Sequence, residues 1–188
     1  MDTAQLCQPV ENAPSGPQWL HEIKLDGFRM AARIDHGRAQ LLTRTGLDWT
    51  DKYPSVVEAF ANLKARTAYI DGELCGVDDA GLPSFARTQA ATDGERGARL
   101  VYYAFDLLHL DGRDVSGLPL IERKALLEPL IADRPGLQFN GHVTADGELI
   151  LRAWESVAKD RRESDSHLRG LRTECGRTVL TALVGHST

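Results

Sequence analysis

A lysine between two carboxylates stands near the start of the chain. In the segment HEIKLDGFR, Lys24 lies two residues after Glu22 and two before Asp26, and Gly27 and Arg29 follow. In an extended strand, alternate side chains share a face, so these three charged groups would point the same way. A lysine amine is a nucleophile, and a nearby arginine supplies a fixed positive charge. The segment therefore predicts attack on a phosphate, although an edge strand with solvated charges explains the same alternation.

A second pair of carboxylates occurs in the segment IDGEL. Asp71 and Glu73 are two residues apart, so a strand would place both on one face. Paired carboxylates can bind a ribose hydroxyl or a hard cation such as Mg²⁺. The alternative is the polar edge of a strand that enters a turn.

The segment VYYAFDLL supplies an aromatic side chain in an apolar strand. Regular alternation predicts that Tyr103, Phe105 and Leu107 share a face and that Asp106 points to the other, with a structural role. A flat ring can stack on a nucleobase, which makes Phe105 a candidate platform for adenine. Simple packing in the core is the alternative.

Periodicity predicts which elements position these residues. Strands and helices mix without regular βαβ alternation, which indicates an α+β domain of antiparallel β-sheets flanked by helices. The pattern predicts strands at 30–34, 39–45, 69–77, 100–108 and 137–143, a turn at 78–81, and helices starting at Pro54, near Ser84, at Pro119 and at Asp146. We expect a hairpin turn at 35–38, a buried central strand at 100–108, and an end or kink of the third helix at Pro129.

Composition predicts a soluble protein organised around one domain. The 188 residues are 42% hydrophobic and 26% charged, and no apolar run is long enough to span a bilayer. We expect an N-terminal arm at 1–18, a main domain at 19–151 and a divergent tail at 152–188 whose composition is typical of partial disorder. The three cysteines lack paired spacing, and the start of the chain lacks a secretory signal, so a cytoplasmic location is expected.

Four motifs in order resemble one family of enzymes. The pattern ExKxDGxR at 22–29, followed by TRTG, DGEL and YYxFDLL, resembles the nucleotidyltransferases that include ATP-dependent DNA ligases, RNA ligases and mRNA capping enzymes. With GLPLIERKALL, residues 19–151 resemble most closely the ligase domain of the bacterial end-joining ligase D type. The resemblance implies a nucleotidyltransferase adenylation domain of ATP-grasp-like type, without the oligonucleotide-binding (OB) domain.

The resemblance also implies roles for individual residues. Lys24 is the expected catalytic nucleophile, which becomes bonded to AMP. Glu73 is expected to contact the ribose and to help hold the metal, and Arg44 in TRTG is expected to reach the nucleotide or the phosphate at the nick. The full set of expected nucleotide-binding residues is Glu22, Ile23, Arg29, Arg44, Glu73 and Phe105.

The later part of the chain departs from the family pattern. The family's EGxxxK element has its nearest counterpart at Glu155, a candidate metal ligand, with Lys159 one residue too close and Ser156 in place of glycine. The lysines that would follow on a WxKxK element are not found. We therefore expect slow adenylation and hypothesise that roughly the last 30 residues derive from truncation, frameshift or rearrangement of a longer ligase. An intact ligase motif in frame downstream at the locus would support this.

The implied activity is ATP-dependent adenylation for DNA strand joining in repair and end joining. ATP and Mg²⁺ or Mn²⁺ are the implied cofactors, and nicked or broken double-stranded DNA, with end-joining proteins, the implied partners in a bacterial, nucleoid-associated setting without membrane. A net charge of −5 argues against extended DNA binding by this domain alone, although residues 152–188 carry seven Lys and Arg against five Asp and Glu. Two alternatives stay open: an inactive nucleotide-binding remnant, and an RNA ligase or capping-type enzyme.

Overall fold

The architecture comes from a computed structural model that describes Gly16, residues 19–79, 81–94 and 99–144, and the backbone of Leu180–Leu183. One compact unit contains Leu25–Asn140, and a second contains the described residues before and after that range. The elements in chain order are β1 (Trp19–Glu22), β2 (Phe28–Asp35), β3 (Arg38–Thr43), a 3-10 helix (Thr50–Lys52), α1 (Pro54–Phe60), β4 (Thr67–Val77), β5 (Pro83–Ser84), α2 (Phe85–Thr92), β6 (Arg99–Leu110), β7 (Arg113–Asp114), α3 (Leu120–Ile131), β8 (Leu137–Phe139), β9 (His142–Val143) and β10 (Leu180–Leu183). Antiparallel sheets with a few helices confirm the expected α+β class.

The larger unit is built on a seven-stranded sheet. Its main path runs β3-β2-β4-β6-β7, with β5 paired to β4 and β8 paired to β6. Every pair is antiparallel except β6 with β8. The predicted hairpin joins β2 to β3, and His36 and Gly37 both have positive φ, as a tight two-residue hairpin turn requires. The long strands β4 and β6 lie side by side at the centre, which confirms the predicted buried central strand.

One face of this sheet carries the main hydrophobic core. Alternate residues of the central strands point into it and are inaccessible to solvent, among them Met30, Ile70, Leu74, Tyr102 and Leu107. Helix α1 contributes Val56 and Phe60, and α3 contributes Leu127 and Ile131. The Tyr102 hydroxyl, buried in this layer, donates toward the backbone oxygens of Met30 at 2.8 Å and Ile70 at 3.0 Å. The Tyr102 side chain therefore ties β6 to its neighbour β4 and to β2, the next strand beyond β4.

The helices follow the sequence pattern with one difference. Helix α1 begins at Pro54, where a missing backbone N–H costs no intrahelical hydrogen bond. An end or a kink was expected at Pro129; the proline lies inside α3 and the helix runs to Ile131, so it does not end there. Pro129 removes the hydrogen bond to the carbonyl of Ala125, and both residues are exposed, so water can satisfy that oxygen.

The smaller unit contains a three-stranded sheet in the order β10-β1-β9, with both pairs antiparallel. The single strand predicted at 137–143 is wrong: β8 pairs with β6 in the large sheet, and β9 pairs with β1 in the small one. Asn140 and Gly141 separate them, at the boundary between the two units. The helix predicted from Asp146 lies outside the described residues. Among the described helices, none combines the length and apolarity needed to cross a bilayer.

Candidate active site

Arg29 and Asp71 form a two-pronged ion pair on the face of the large sheet opposite the main core. Arg29 Nε donates to Asp71 Oδ1 at 3.2 Å, and Arg29 Nη2 donates to Oδ2 at 2.6 Å. The Asp71 side chain is 6% exposed and that of Arg29 is 23% exposed. Burial raises the pKa of the Asp71 carboxyl above its ordinary value, and the Arg29 guanidinium opposes that rise. The planar fork is therefore held in one orientation.

The same guanidinium lies over the ring of Phe105. The Arg29 Cζ atom is 5.4 Å from the ring centroid, within the range of a cation–π interaction. Phe105 is half-buried. An adenine that stacks on Phe105 would use the other face of the ring or displace the guanidinium. The structure thus brings together two of the sequence-predicted nucleotide-binding residues.

Glu73 lies beside this group and is tied to the segment that follows the lysine. Its Oε1 accepts a hydrogen bond from the backbone N–H of Gly27 at 3.0 Å. A Cβ atom on Gly27 would lie 2.3 Å from the backbone oxygen of Leu74 and 2.7 Å from Cys75 Sγ. The absence of a side chain at Gly27 therefore permits this segment to lie close to β4.

Asp71 and Glu73 share one face of β4, as the alternation predicted. The strands place Arg29 directly opposite Glu73, yet its side chain reaches diagonally to Asp71. Sequence reasoning identified both carboxylates as a pair but missed Asp71 as the partner of Arg29. Neither segment alone encodes the register in which the two strands pair. The contact between Arg29 and Asp71 therefore becomes apparent only once β2 is paired with β4.

A β-bulge changes the faces predicted for β6. Ala104 is opposite Gly72, but the next paired residue is Asp106, opposite Asp71, so Phe105 is skipped. Tyr103 packs with Cys75 in a second small cluster, whereas Leu107 packs in the main core. The prediction that Tyr103, Phe105 and Leu107 share a face is therefore wrong, because the extra residue shifts the alternation by one.

Asp106 is engaged by α3, in keeping with the structural role predicted for it. Arg123 donates through Nε to Oδ1 at 2.7 Å and through Nη2 to Oδ2 at 2.9 Å. Both side chains are largely buried, at 10% and 15% exposure for Arg123 and Asp106. Sequence reasoning read Arg123 only as part of an amphipathic helix and so missed this contact.

Arg44 lies on an exposed turn after β3. The turn is closed by the Gly46 N–H on the Thr43 backbone oxygen at 2.8 Å and by the Leu47 N–H on Thr43 Oγ1 at 3.0 Å. The Arg44 side chain itself is exposed on this closed turn.

Lys24 and its neighbours belong to the smaller unit. Strand β1 ends at Glu22, and Ile23 and Lys24 follow it outside any strand, so the predicted continuous strand through Asp26 is wrong. The unit boundary falls directly after Lys24. Pairing with β9 and β10 ends at Glu22, and pairing with β4 begins at Phe28. The Lys24 side chain is exposed, and its backbone is not part of a strand.

The predicted metal ligands are described only in part. Glu73 is in place on β4, but Glu155 lies outside the described residues. Within the described ranges, no three His, Cys, Asp or Glu side chains cluster in a way that could hold a metal ion. The described carboxylates therefore do not form a metal centre of three such ligands by themselves.

The chain matches one known family over most of its length. The family described as "ATP dependent DNA ligase domain" matches residues 3–163, so the chain belongs to that family. This confirms the family resemblance of the motifs.

Particular relatives are bacterial ligases. The chain is 39% identical over 149 residues to "Multifunctional non-homologous end joining protein LigD" of Pseudomonas aeruginosa, covering 78% of this chain and 18% of that protein. It is 38% identical over 153 residues to a "Probable DNA ligase" of Saccharopolyspora erythraea, covering 76% and 29%. The chain thus spans less than a third of either relative.

Solved structures show the same fold. The ligase domain from M. tuberculosis LigD matches with a TM-score of 0.66 and 33% identity, over 77% of this chain and 46% of that one. A mycobacterial DNA ligase D complexed with ATP and MES matches with a TM-score of 0.63 and 31% identity, over 78% and 50%. The fold is therefore that of ligase D ligase domains.

Proposed function

We propose that this chain catalyses the adenylation step of ATP-dependent DNA joining, with Lys24 as the nucleophile. The Lys24 amine, after losing a proton, attacks the α-phosphorus of ATP. A nitrogen–phosphorus bond forms, the bond between the α-phosphorus and the bridging oxygen breaks, and pyrophosphate leaves. AMP then passes from the lysine to the 5′-phosphate of a DNA strand.

The observation that carries this proposal is the group on β2, β4 and β6 in a chain of the ligase family. Arg29 stacks on Phe105 and pairs with Asp71, while Glu73 holds the Gly27 N–H. In the motif ExKxDGxR, Gly27 follows Lys24 by three residues. We infer that adenine stacks on Phe105 and that Glu73 contacts the ribose.

The remaining predicted residues enter the proposal through the family motifs. Glu22 and Ile23 directly precede Lys24 and would contact the nucleotide. Arg44, exposed on its turn, would bind a phosphate, either of the nucleotide or of the DNA break. These assignments rest on motif position.

A divalent cation would supply charge neutralisation at the triphosphate. Glu73 is the described carboxylate in position for a protein ligand, and Glu155 remains a proposed second ligand. Mg²⁺ or Mn²⁺ would then be held mainly by ATP. Chelation with EDTA should abolish covalent labelling, and either ion should restore it.

Labelling with ATP radioactive at the α-phosphate tests the proposal. We expect covalent label on the wild-type chain with Mg²⁺ and none on Lys24→Ala or Lys24→Arg. Lys64→Ala, which changes an exposed lysine of the larger unit, is the matched control and should keep its label. Label that persists in Lys24→Ala would overturn the mechanism, and nucleotide binding without label would favour a binding protein that has lost the chemistry.

The proposed acceptor is nicked or broken double-stranded DNA in bacterial end joining. Support comes from the similar non-homologous end joining proteins LigD of Pseudomonas aeruginosa and Mycolicibacterium smegmatis. We further propose a cytoplasmic, nucleoid-associated setting and end-joining proteins as partners. Transfer of label to a nicked RNA strand in preference to a nicked DNA strand would instead identify an RNA-directed enzyme.

A further inference from the structure

Two neighbouring cations of α3 are buried. Arg123 is 8% exposed and Lys124 is 1% exposed, although both are residue types that favour solvent. Burial of a charged group is costly unless polar partners surround it. Their contacts converge on the same short stretch of β6.

Arg123 holds the residue that follows Phe105. Its guanidinium makes two hydrogen bonds to the carboxylate of Asp106, at 2.7 and 2.9 Å. Its Nη1 donates to the backbone oxygens of Ser116 and Leu118, in the segment before α3. The buried fork therefore fixes the position of Asp106 relative to the start of the helix.

Lys124 holds the other side through Asn140. Lys124 Nζ donates to the Asn140 backbone oxygen at 2.8 Å and lies 4.9 Å from the centroid of the Phe139 ring. The Asn140 N–H in turn donates to the backbone oxygen of Ala104 at 2.8 Å. Ala104 is the residue immediately before Phe105.

Phe105 itself has no partner in the strand register. The pairing of β6 with β4 skips it, and the pairing of β6 with β8 ends at Ala104. An unpaired bulge residue is not positioned by the ladder, so its orientation depends on how its two neighbours are held. Those neighbours are the residues to which Arg123 and Lys124 connect.

We propose that Arg123 and Lys124 are positioning residues that clamp both sides of the bulge and so fix the Phe105 ring for a nucleobase. This rests on the proposed role of Phe105 in binding ATP. The two cations act on nucleotide binding through the bulge, without touching the nucleotide.

A double-mutant cycle tests the proposal on the full chain. The probe is α,β-methylene ATP, in which a CH₂ group replaces the oxygen between the α- and β-phosphorus atoms, so that the lysine cannot displace pyrophosphate. Its Kd is measured below the melting temperature of each variant. We expect Arg123→Met to weaken binding about tenfold in the wild-type background and hardly at all in Phe105→Ala. Lys124→Met should behave in the same way.

The control is Thr88→Ala. The Thr88 hydroxyl accepts the Gly76 N–H at 2.7 Å and is fully buried, so its loss destabilises the same sheet at a distance from the bulge. It should lower the melting temperature without changing the Kd. If Arg123→Met does not fold, Arg123→Lys keeps the charge but loses the fork, and should show the same dependence on Phe105 with a smaller effect.

The outcomes separate the two proposals. If the wild type does not bind the analogue, or if Phe105→Ala binds it as well as wild type does, the proposed nucleotide site is wrong. The clamp is then wrong as well, because it depends on that site. If Phe105→Ala weakens binding but the Arg123 variants bind normally, the clamp alone is overturned. The clamp is also overturned if Arg123→Met weakens binding of the analogue equally in the wild-type and Phe105→Ala backgrounds.

Discussion

The two faces of the large sheet use the same strands in opposite ways. On one face, alternate residues of β2, β4 and β6 are apolar and buried in the main core; they include Met30, Ile70, Leu74, Tyr102 and Leu107. On the other face, the intervening residues carry charges and one half-buried aromatic ring; they include Arg29, Asp71, Glu73 and Phe105. Successive residues of each strand thus point alternately to the core face and to the candidate binding face.

This difference separates stability from chemistry. Burial of apolar area on the core face supplies folding free energy, whereas a partly buried ion pair supplies little net stability. The charged face remains ordered because the strands beneath it are fixed by the core, including the Tyr102 hydroxyl that bridges two backbone oxygens. Mutations on the two faces should therefore have different signatures.

The largest expected effect is on the core face. Leu107→Ala removes a side chain with no solvent exposure and should lower the free energy of unfolding by about 2–5 kcal/mol. Urea unfolding measures this change. At a temperature where the variant stays folded, the Kd for α,β-methylene ATP should match that of wild type, and a comparable loss of binding would break the distinction between the faces.

The reverse signature is expected for Phe105→Ala. Loss of base stacking should weaken binding of the analogue by about 1–3 kcal/mol. Its stability loss should be smaller than that of Leu107→Ala, because the ring is only half-buried. Ile121→Ala is the control, since that side chain is 44% exposed on α3, and it should leave both binding and stability near wild type. Unchanged binding in Phe105→Ala would remove the ring from the site.

A smaller effect should appear in the dependence of stability on pH. The pKa of Asp71 is raised above 3.8, so the native state binds its proton more tightly than the unfolded chain does. Its contribution to stability is greatest below the unfolded pKa and is lost as pH rises through the native pKa, at about 1.4 kcal/mol per unit of difference. Urea unfolding of wild type and Asp71→Asn from pH 3 to 7 isolates this contribution: the free energy of unfolding of wild type minus that of Asp71→Asn should fall as pH rises. A difference that rises with pH would show that the ion pair with Arg29 outweighs the burial of Asp71.

The smallest expected signal concerns Cys75, which points to the charged face but is fully buried. Burial, with Glu73 and Asp26 nearby, raises the pKa of its thiol to about 12. At pH 8, about one thiol in ten thousand is then ionised, so alkylation should be very slow until the protein unfolds. Mass spectrometry of iodoacetamide-treated protein, read at Cys75, measures this. Rapid labelling of the native protein would show that this part of the face opens.

Regular patterns carried most of the sequence-based prediction. Alternation placed Asp71 and Glu73 on one face, the turn composition located the β2–β3 hairpin, and the motifs gave the family. The bulge at Phe105 was missed because the residue types around it are those of any apolar strand, and only the pairing of β6 with β4 shows that one residue is skipped. The buried contacts of Arg123 were missed because helical periodicity treats a charged residue as exposed.

The break in pairing around Lys24 was missed for a related reason. Charged residues at every second position fit a strand, but β1 ends at Glu22 because its partners β9 and β10 pair no further. A strand requires a neighbour, and neighbours come from distant parts of the chain. The same limit applies to the segment 137–143, whose two halves join different sheets.

The most direct test of the account is to locate the covalent AMP. The wild-type chain is incubated with ATP and Mg²⁺, digested, and its peptides are analysed by mass spectrometry. We expect AMP bonded to the peptide that contains Lys24, at that lysine. AMP on another lysine, or no adduct on a folded protein that binds the nucleotide, would contradict it.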